Sequence, residues 1–200
     1  VIASVNSDGT YEGYLYFSDA SEFKFTSAPN WDGTNFGAGD NEGELSTDGG
    51  AGNLSVSEAG YYKINADTVQ LTYSLVSTHW GVIGSATEGG WDSDQDMTFD
   101  PETGLWSAVL DLVVGEVKFR ANDDWAINYG DLSGDGILDT EDGNNIPIAE
   151  AGTYLLTMKL GAPDYTYSIT RAAFDKRAMF FTEGQTLEIF DIGNFNDGFA

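Results

Sequence analysis

Hydrophobic and polar positions alternate along most of this chain, and the clearest run is Glu116 to Gly130. Val117 and Phe119 point one way while Lys118 and Arg120 point the other, the period-two pattern of a half-buried strand. The polar run Asn122-Asp123-Asp124 then closes the strand and lifts Trp125 and Tyr129 into a turn that ends at Gly130. Leu71 to Val76 and Tyr165 to Ile169 alternate in the same manner, and no segment of useful length carries helical periodicity. Short strands punctuated by Gly- and Asp-rich turns predict an all-β protein built from sandwiches of the immunoglobulin-like kind.

The same grammar occurs twice. Glu22-Phe23-Lys24-Phe25 leads to Trp31 as Glu116-Val117-Lys118-Phe119 leads to Trp125, and each lysine lies seven residues before its tryptophan. Tyr11 falls on Trp106 at an offset of 95, Lys24 on Lys118 at 94, and Glu58-Ala59-Gly60 on Glu150-Ala151-Gly152 at 92. Drift of this size is what loop insertions produce, and the order of elements is kept. Self-similarity at this spacing predicts tandem modules. Residues 1–78 form the first, without a counterpart of the segment from His79 to Gln95. Residues 79–170 form a complete second module. Residues 171–200 fall outside the repeat and read as the start of a further module or a linker, with Ala178–Thr182 and Thr186–Phe190 as one hairpin. The abrupt start at Val1 suggests a fragment, with no signal peptide in view.

Composition narrows the function classes. The net charge of -25, from 33 acids against 8 bases, disfavours nucleic acid as a partner, because phosphate contacts rest on Lys and Arg. Absence of cysteine excludes disulfides and thiol chemistry. Catalysis finds little support. His79 is the only histidine, so neither a zinc cluster nor a Ser-His-Asp triad can be assembled without it, and no Gly-x-Ser-x-Gly elbow occurs. With so many acids, a carboxylate pair carries no signal of a glycosidase. The chain therefore reads as no enzyme.

Aromatic and cationic residues at one sheet edge are more informative. Sugar rings pack a C–H face on flat aromatic rings, while their hydroxyls require donors and acceptors. Trp91, from the loop Gly89-Gly90-Trp91-Asp92, with Lys118, Arg120, Asn122, Trp125 and Tyr129, makes such a carbohydrate-binding set in the second module. Lys24 and Trp31 are its remnant in the first, where Thr26 stands in place of Arg120. The alternative is that Trp125 caps the core and Lys118 pairs with a nearby Asp. Trp106, Trp80 and Tyr11 read as core.

One loop has metal-ligand spacing. Counting Asp131 as position 1, oxygen side chains of Asp131, Ser133, Asp135, Asp139 and Asp142 fall at 1, 3, 5, 9 and 12, with Gly136 at 6. That is close to an EF-hand calcium loop, and calcium is the one cofactor the sequence raises. An ordinary acidic Gly-rich loop is the alternative, since the flanks read as strand and loop.

The segments Trp80-Gly-Val-Ile-Gly-Ser, Gly-Gly-Trp91-Asp, Lys118 to Gly130, Gly143-Asn-Asn-Ile and Glu-Ala-Gly-Thr-Tyr154 resemble the SusE/SusF family. These are surface starch-binding lipoproteins of Bacteroidetes made of tandem β-sandwich carbohydrate-binding modules. The resemblance covers 79–170 well and 1–78 in outline. It implies non-catalytic capture of α-glucan at the outer membrane, beside a glycan transporter, and sites of two aromatics, basic residues and an amide. A structural or adhesive repeat protein, calcium-stiffened or not, and a binder of another polysaccharide such as laminarin stay open as alternatives.

Overall fold

The computed structural model describes residues 2–140, 143–161 and 163–172, together with the backbone of 177–180 and 188–191. No helix occurs among them. The first unit contains β1 (Thr10–Phe17), β2 (Ser21–Phe23), β3 (Phe25–Thr26), β4 (Asn35–Ala38), β5 (Leu45–Ser46), β6 (Leu54–Val56), β7 (Gly60–Asp67) and β8 (Thr72–Ser77). One sheet runs β1-β7-β8; β2-β6 and β3-β4-β5 make the other layer. The second unit contains β9 (Trp80–Ile83), β10 (Gln95–Asp96), β11 (Thr98–Asp100), β12 (Leu105–Leu112), β13 (Gly115–Ala121), β14 (Asn128–Tyr129), β15 (Ile146–Ile148), β16 (Gly152–Leu160) and β17 (Tyr165–Arg171). Its sheets run β11-β12-β16-β17 and β10-β9-β13-β14, with β15 also on β13. Beyond the two units, β18 (Arg177–Phe180) pairs antiparallel with β19 (Glu188–Asp191), where the sequence predicts a hairpin.

Corresponding positions of the two units carry matching hydrogen bonds. Asn53 donates to Glu22 at 3.1 Å as Asn145 donates to Glu116 at 2.8 Å. The hydroxyl of Tyr62 donates to the Glu58 carbonyl as that of Tyr154 donates to the Glu150 carbonyl. Among the described residues, each strand pairing joins strands of the same unit. No strand there stands beside β3 as β9 stands beside β13.

Side chains do not respect that division. Alternation on β1 places Tyr11 toward the first unit's own core, with Phe36, Leu45, Leu54 and Ala66. The intervening Glu12, Tyr14 and Tyr16 face the second unit, and so do Tyr61 and Lys63 on β7. Tyr14 and Tyr61 therefore belong to the same buried cluster as Trp80, Trp106, Tyr129, Met158 and Tyr165. Tyr14 stacks on Tyr61 at 5.6 Å and meets Trp80 and Tyr165 edge-on. Tyr61 packs against Phe99 at 4.6 Å, and its hydroxyl donates to the Leu160 carbonyl. Burial raises the hydroxyls of Tyr14, Tyr61, Tyr129 and Tyr165 above the ordinary tyrosine value. Glu12 pairs with Lys63 at 2.9 Å and accepts from Tyr165 at 3.2 Å. A sheet covered on both faces thus joins the units through one aromatic layer.

Candidate functional site

Strand β13 behaves as its alternation predicts. Val117 and Phe119 are fully buried, while Lys118 and Arg120 leave on the opposite face. The chain then turns sharply because Asn122 and Asp123 adopt positive φ of 58° and 53°, a conformation that Asn and Asp tolerate better than most residues. The Asp124 carboxylate accepts from the Ala126 amide and completes the turn that presents Trp125. The turn ends at Gly130, where a Cβ would lie 2.0 Å from the Asn144 carbonyl oxygen. Only glycine lets those two backbones approach so closely.

Trp91 comes from the loop between β9 and β10. The Gly84 amide donates to the Gly90 carbonyl and the Asp92 amide to the Gly89 carbonyl, so the loop is tied before and after the indole. Its ring stands 6.1 Å from that of Trp125, centroid to centroid, with 36° between their planes. Trp91 is 38% exposed and Trp125 47%. Two loops, 34 residues apart in sequence, thus build one bent indole pair open to solvent.

The cations flank the pair in different ways. The Lys118 ammonium donates to Asn128 Oδ1 at 2.9 Å, and the Asn128 amide donates to the Trp125 carbonyl at 2.8 Å. Arg120 lies beneath Trp125, its guanidinium carbon 4.6 Å from the ring centroid. It is buried, and it pairs with Asp94. The Arg120 charge therefore reaches the surface only through the indole it supports.

Two residues of the predicted set are placed elsewhere. Tyr129 is 1% exposed, with its hydroxyl bonded to that of Tyr14, so it belongs to the core between the units. The Asn122 amide is held by the connection between the units: its oxygen accepts from the His79 amide and its nitrogen donates to the Ser77 carbonyl, both at 2.8 Å. Neither side chain faces the indole pair as the alternation and turn pattern predict. Conversely, Asn128 and Asp94 carry geometry that the sequence pattern does not assign to them. The signal for Asn128 was its echo, Asn35, a few residues after Trp31; Asp94 had no signal among so many acids.

In the first unit, Trp31 is 71% exposed and overhangs a cleft of about 540 Å³ that Lys24, Asn35, Asp48 and Asn53 help to line. The Lys24 ammonium donates to the Ala51 carbonyl at 2.6 Å. The Asn35 amide donates to the Trp31 carbonyl at 3.1 Å, repeating the Asn128–Trp125 arrangement. Trp106 and Trp80 are buried as expected, at 4% and 2% exposure.

The acidic loop uses its first carboxylate on itself. Asp131 accepts from the Ser133, Gly134 and Gly136 amides and from the Tyr167 hydroxyl. Burial works to raise this carboxyl; the Gly136 and Gly134 amides and Tyr167 more than offset it and hold it below its ordinary value. Asp139 accepts from the Leu132 amide and Asp135 from the Ile137 amide, so these carboxylates brace the loop backbone. Asp142, the last position of the expected calcium set, lies outside the described residues. Among those described, no three His, Cys, Asp or Glu cluster as a metal would need.

Comparison with known proteins bears on the first unit. No curated protein matches the chain. Among solved structures, SusF from Bacteroides thetaiotaomicron is similar at 17% identity and a TM-score of 0.35, over 85% of this chain and 44% of that one. The chain thus spans less than half the length of that structure. Residues 1–74 match the family described as "SusF/SusE starch specific CBMs", carbohydrate-binding modules. The match falls on the unit whose resemblance the motifs carry only in outline. Over its first 74 residues the chain is similar to the SusF/SusE starch-specific modules, and the resemblance drawn from the sequence is to that family.

Proposed function

We propose that this chain binds a starch-like α-glucan and does not transform it. The Trp91–Trp125 pair is the main contact and the Trp31 cleft a second one. The observation that carries the reading is the indole pair itself: two half-exposed rings, 6.1 Å apart and inclined by 36°. Half-exposed indoles in polar loops leave apolar area open to water, and a sugar face supplies a partner for it. Successive glucose rings of a coiled α-glucan are inclined to one another, so a bent pair follows them better than a flat platform would. Lys118 and Asn128 beside Trp125 provide a donor and a further amide for the hydroxyls. The match of residues 1–74 to starch-specific modules supports the same ligand class for the first unit. Each shallow site contributes modest affinity, and two on one chain add avidity on a polymer. By the same resemblance, the chain serves glucan capture at the bacterial surface, as part of an outer-membrane lipoprotein beside a glycan transporter.

The test is electrophoresis of the chain in native gels containing amylopectin, laminarin or no polysaccharide. Retardation in amylopectin alone is the expected result. Retardation in laminarin alone would move the ligand to another glucan. Equal migration in all three gels would overturn the binding function and favour a structural repeat.

A further inference from the structure

The support beneath the indole pair is an ion pair that spans both tryptophan loops. Arg120 Nε lies 3.0 Å from Asp94 Oδ2, and Nη2 lies 2.7 Å from Oδ1. The side chains are 7% and 1% exposed. Asp94 is three residues after Trp91, at the end of the loop that presents that indole, and leads directly into β10. Arg120 sits on β13, just before the turn that presents Trp125, and its guanidinium lies on the Trp125 ring. One end of the pair therefore adjoins each loop.

The backbone makes room for this contact. A Cβ at Gly81, on β9, would lie 2.8 Å from Asp94 Cβ, so the carboxylate reaches Arg120 only because that position is glycine. Stability is a poor explanation for the pair, because a buried ion pair contributes little over a well-packed apolar replacement. What it does supply is direction: a planar guanidinium held by a hydrogen bond at Nε and an ion contact at Nη2 can take few orientations, and the indole lying on it is fixed accordingly.

We propose that Asp94 is a positioning residue for the carbohydrate site. It locks Arg120 against Trp125, ties the Trp91 loop to the same point, and so sets the inclination of the two indoles. The step from that inclination to glucan affinity rests on the proposed function; the inclination itself does not.

The test separates the two. Neighbouring indoles give an exciton couplet in far-ultraviolet circular dichroism, whose size and sign depend on their mutual angle, and Trp91→Ala identifies the part due to this pair. Asp94→Asn and Arg120→Lys nearly keep the volume, but the first removes the carboxylate charge and the second the planar guanidinium. The proposal predicts that both change the couplet without sugar present. Both should also weaken retardation by amylopectin roughly tenfold, the scale expected when the cation beneath Trp125 is no longer held in register with the ring. Asp94→Asn combined with Arg120→Gln restores a hydrogen-bonded pair and should recover part of both signals. Folded variants that keep the wild-type couplet overturn the proposal, whatever their affinity. A changed couplet with undiminished retardation overturns the link to binding. If the wild-type chain is not retarded at all, the proposed function fails, and the couplet alone decides the role of Asp94. Should Asp94→Asn fail to fold, Arg120→Lys carries the same comparison.

Discussion

The hydroxyl oxygens of Tyr14 and Tyr129 stand 2.6 Å apart, one from each unit, on rings that are 5% and 1% exposed. Around them Tyr61, Trp80 and Tyr165 complete an aromatic layer that neither unit fills alone. Units joined by a polar tether move independently as a rule, whereas a buried apolar contact suppresses that motion. The chain is therefore expected to unfold in one transition. Urea unfolding followed by tryptophan fluorescence and by far-ultraviolet circular dichroism should give coincident curves; two separated transitions would contradict the shared core.

Tyr14→Phe leaves the Tyr129 hydroxyl buried without its partner. The expected cost is about 1–3 kcal/mol, the penalty for an unsatisfied buried polar group. Removing both hydroxyls should cost less than the sum of the two single changes, because neither is then left alone. Denaturant midpoints of the two single variants and the double variant measure this directly; strict additivity would count against the bond.

Alkaline pH should loosen the same layer. Burial raises the hydroxyls of Tyr14, Tyr61, Tyr129 and Tyr165 above the 10.0 of an exposed tyrosine. The unfolded chain releases these protons first as pH rises, so the folded state binds more protons above about pH 10. Their contribution to stability is whole below that point and is lost as pH climbs toward the folded values. Urea midpoints should hold steady from about pH 8 to 10 and fall beyond it, and less steeply for Tyr14→Phe/Tyr129→Phe.

Asp131 gives the opposite sign. Its carboxyl is held below the ordinary 3.8 by the loop amides and Tyr167, against the effect of burial. The stability it confers is present above that pH and is lost as pH falls through the lower folded value. Asp131→Asn should lower the melting temperature at neutral pH and lose less on acidification than wild type. Because that carboxylate already accepts four donors, calcium and a chelator should give the same melting temperature; a rise with calcium would show that the loop rearranges around the ion.

Four of the five tryptophans should divide by role. Trp106→Ala empties a core position and is expected to cost about 3–5 kcal/mol. Trp31→Ala removes a largely exposed ring and should cost less than about 1 kcal/mol, while Trp91→Ala and Trp125→Ala remove half-exposed rings and should cost less than Trp106→Ala. Thermal melts run beside glucan-retention assays separate a folding defect from a binding defect. A large melting loss for Trp91→Ala would return that ring to a structural role.

Much of this was legible in the sequence because period-two alternation reports directly on burial. Val117, Phe119, Trp106 and Trp80 went inward as their patterns required, and Trp91 and Trp125 stood out as indoles in polar loops. The turn pattern misplaces Tyr129. It lies on β14 directly opposite Phe119, and cross-strand neighbours share a face. Alternation correctly turns Arg120 away from the Phe119 side, yet it cannot show that Asp94 and Trp125 cover it. The surroundings of Tyr14 and Asn122 are not legible for a common reason. Their partners lie in the other unit or in the connection between units, and periodicity within one strand carries no information about what covers its second face.

The most direct test of the central claim is quantitative affinity electrophoresis in amylopectin, comparing the wild-type chain with Trp91→Ala/Trp125→Ala and with Trp31→Ala. The account predicts strong retardation of wild type, a large loss in the double variant and a smaller loss for Trp31→Ala, with all three folded. Wild-type retardation that survives removal of both indoles would show that the glucan binds elsewhere and would contradict the account.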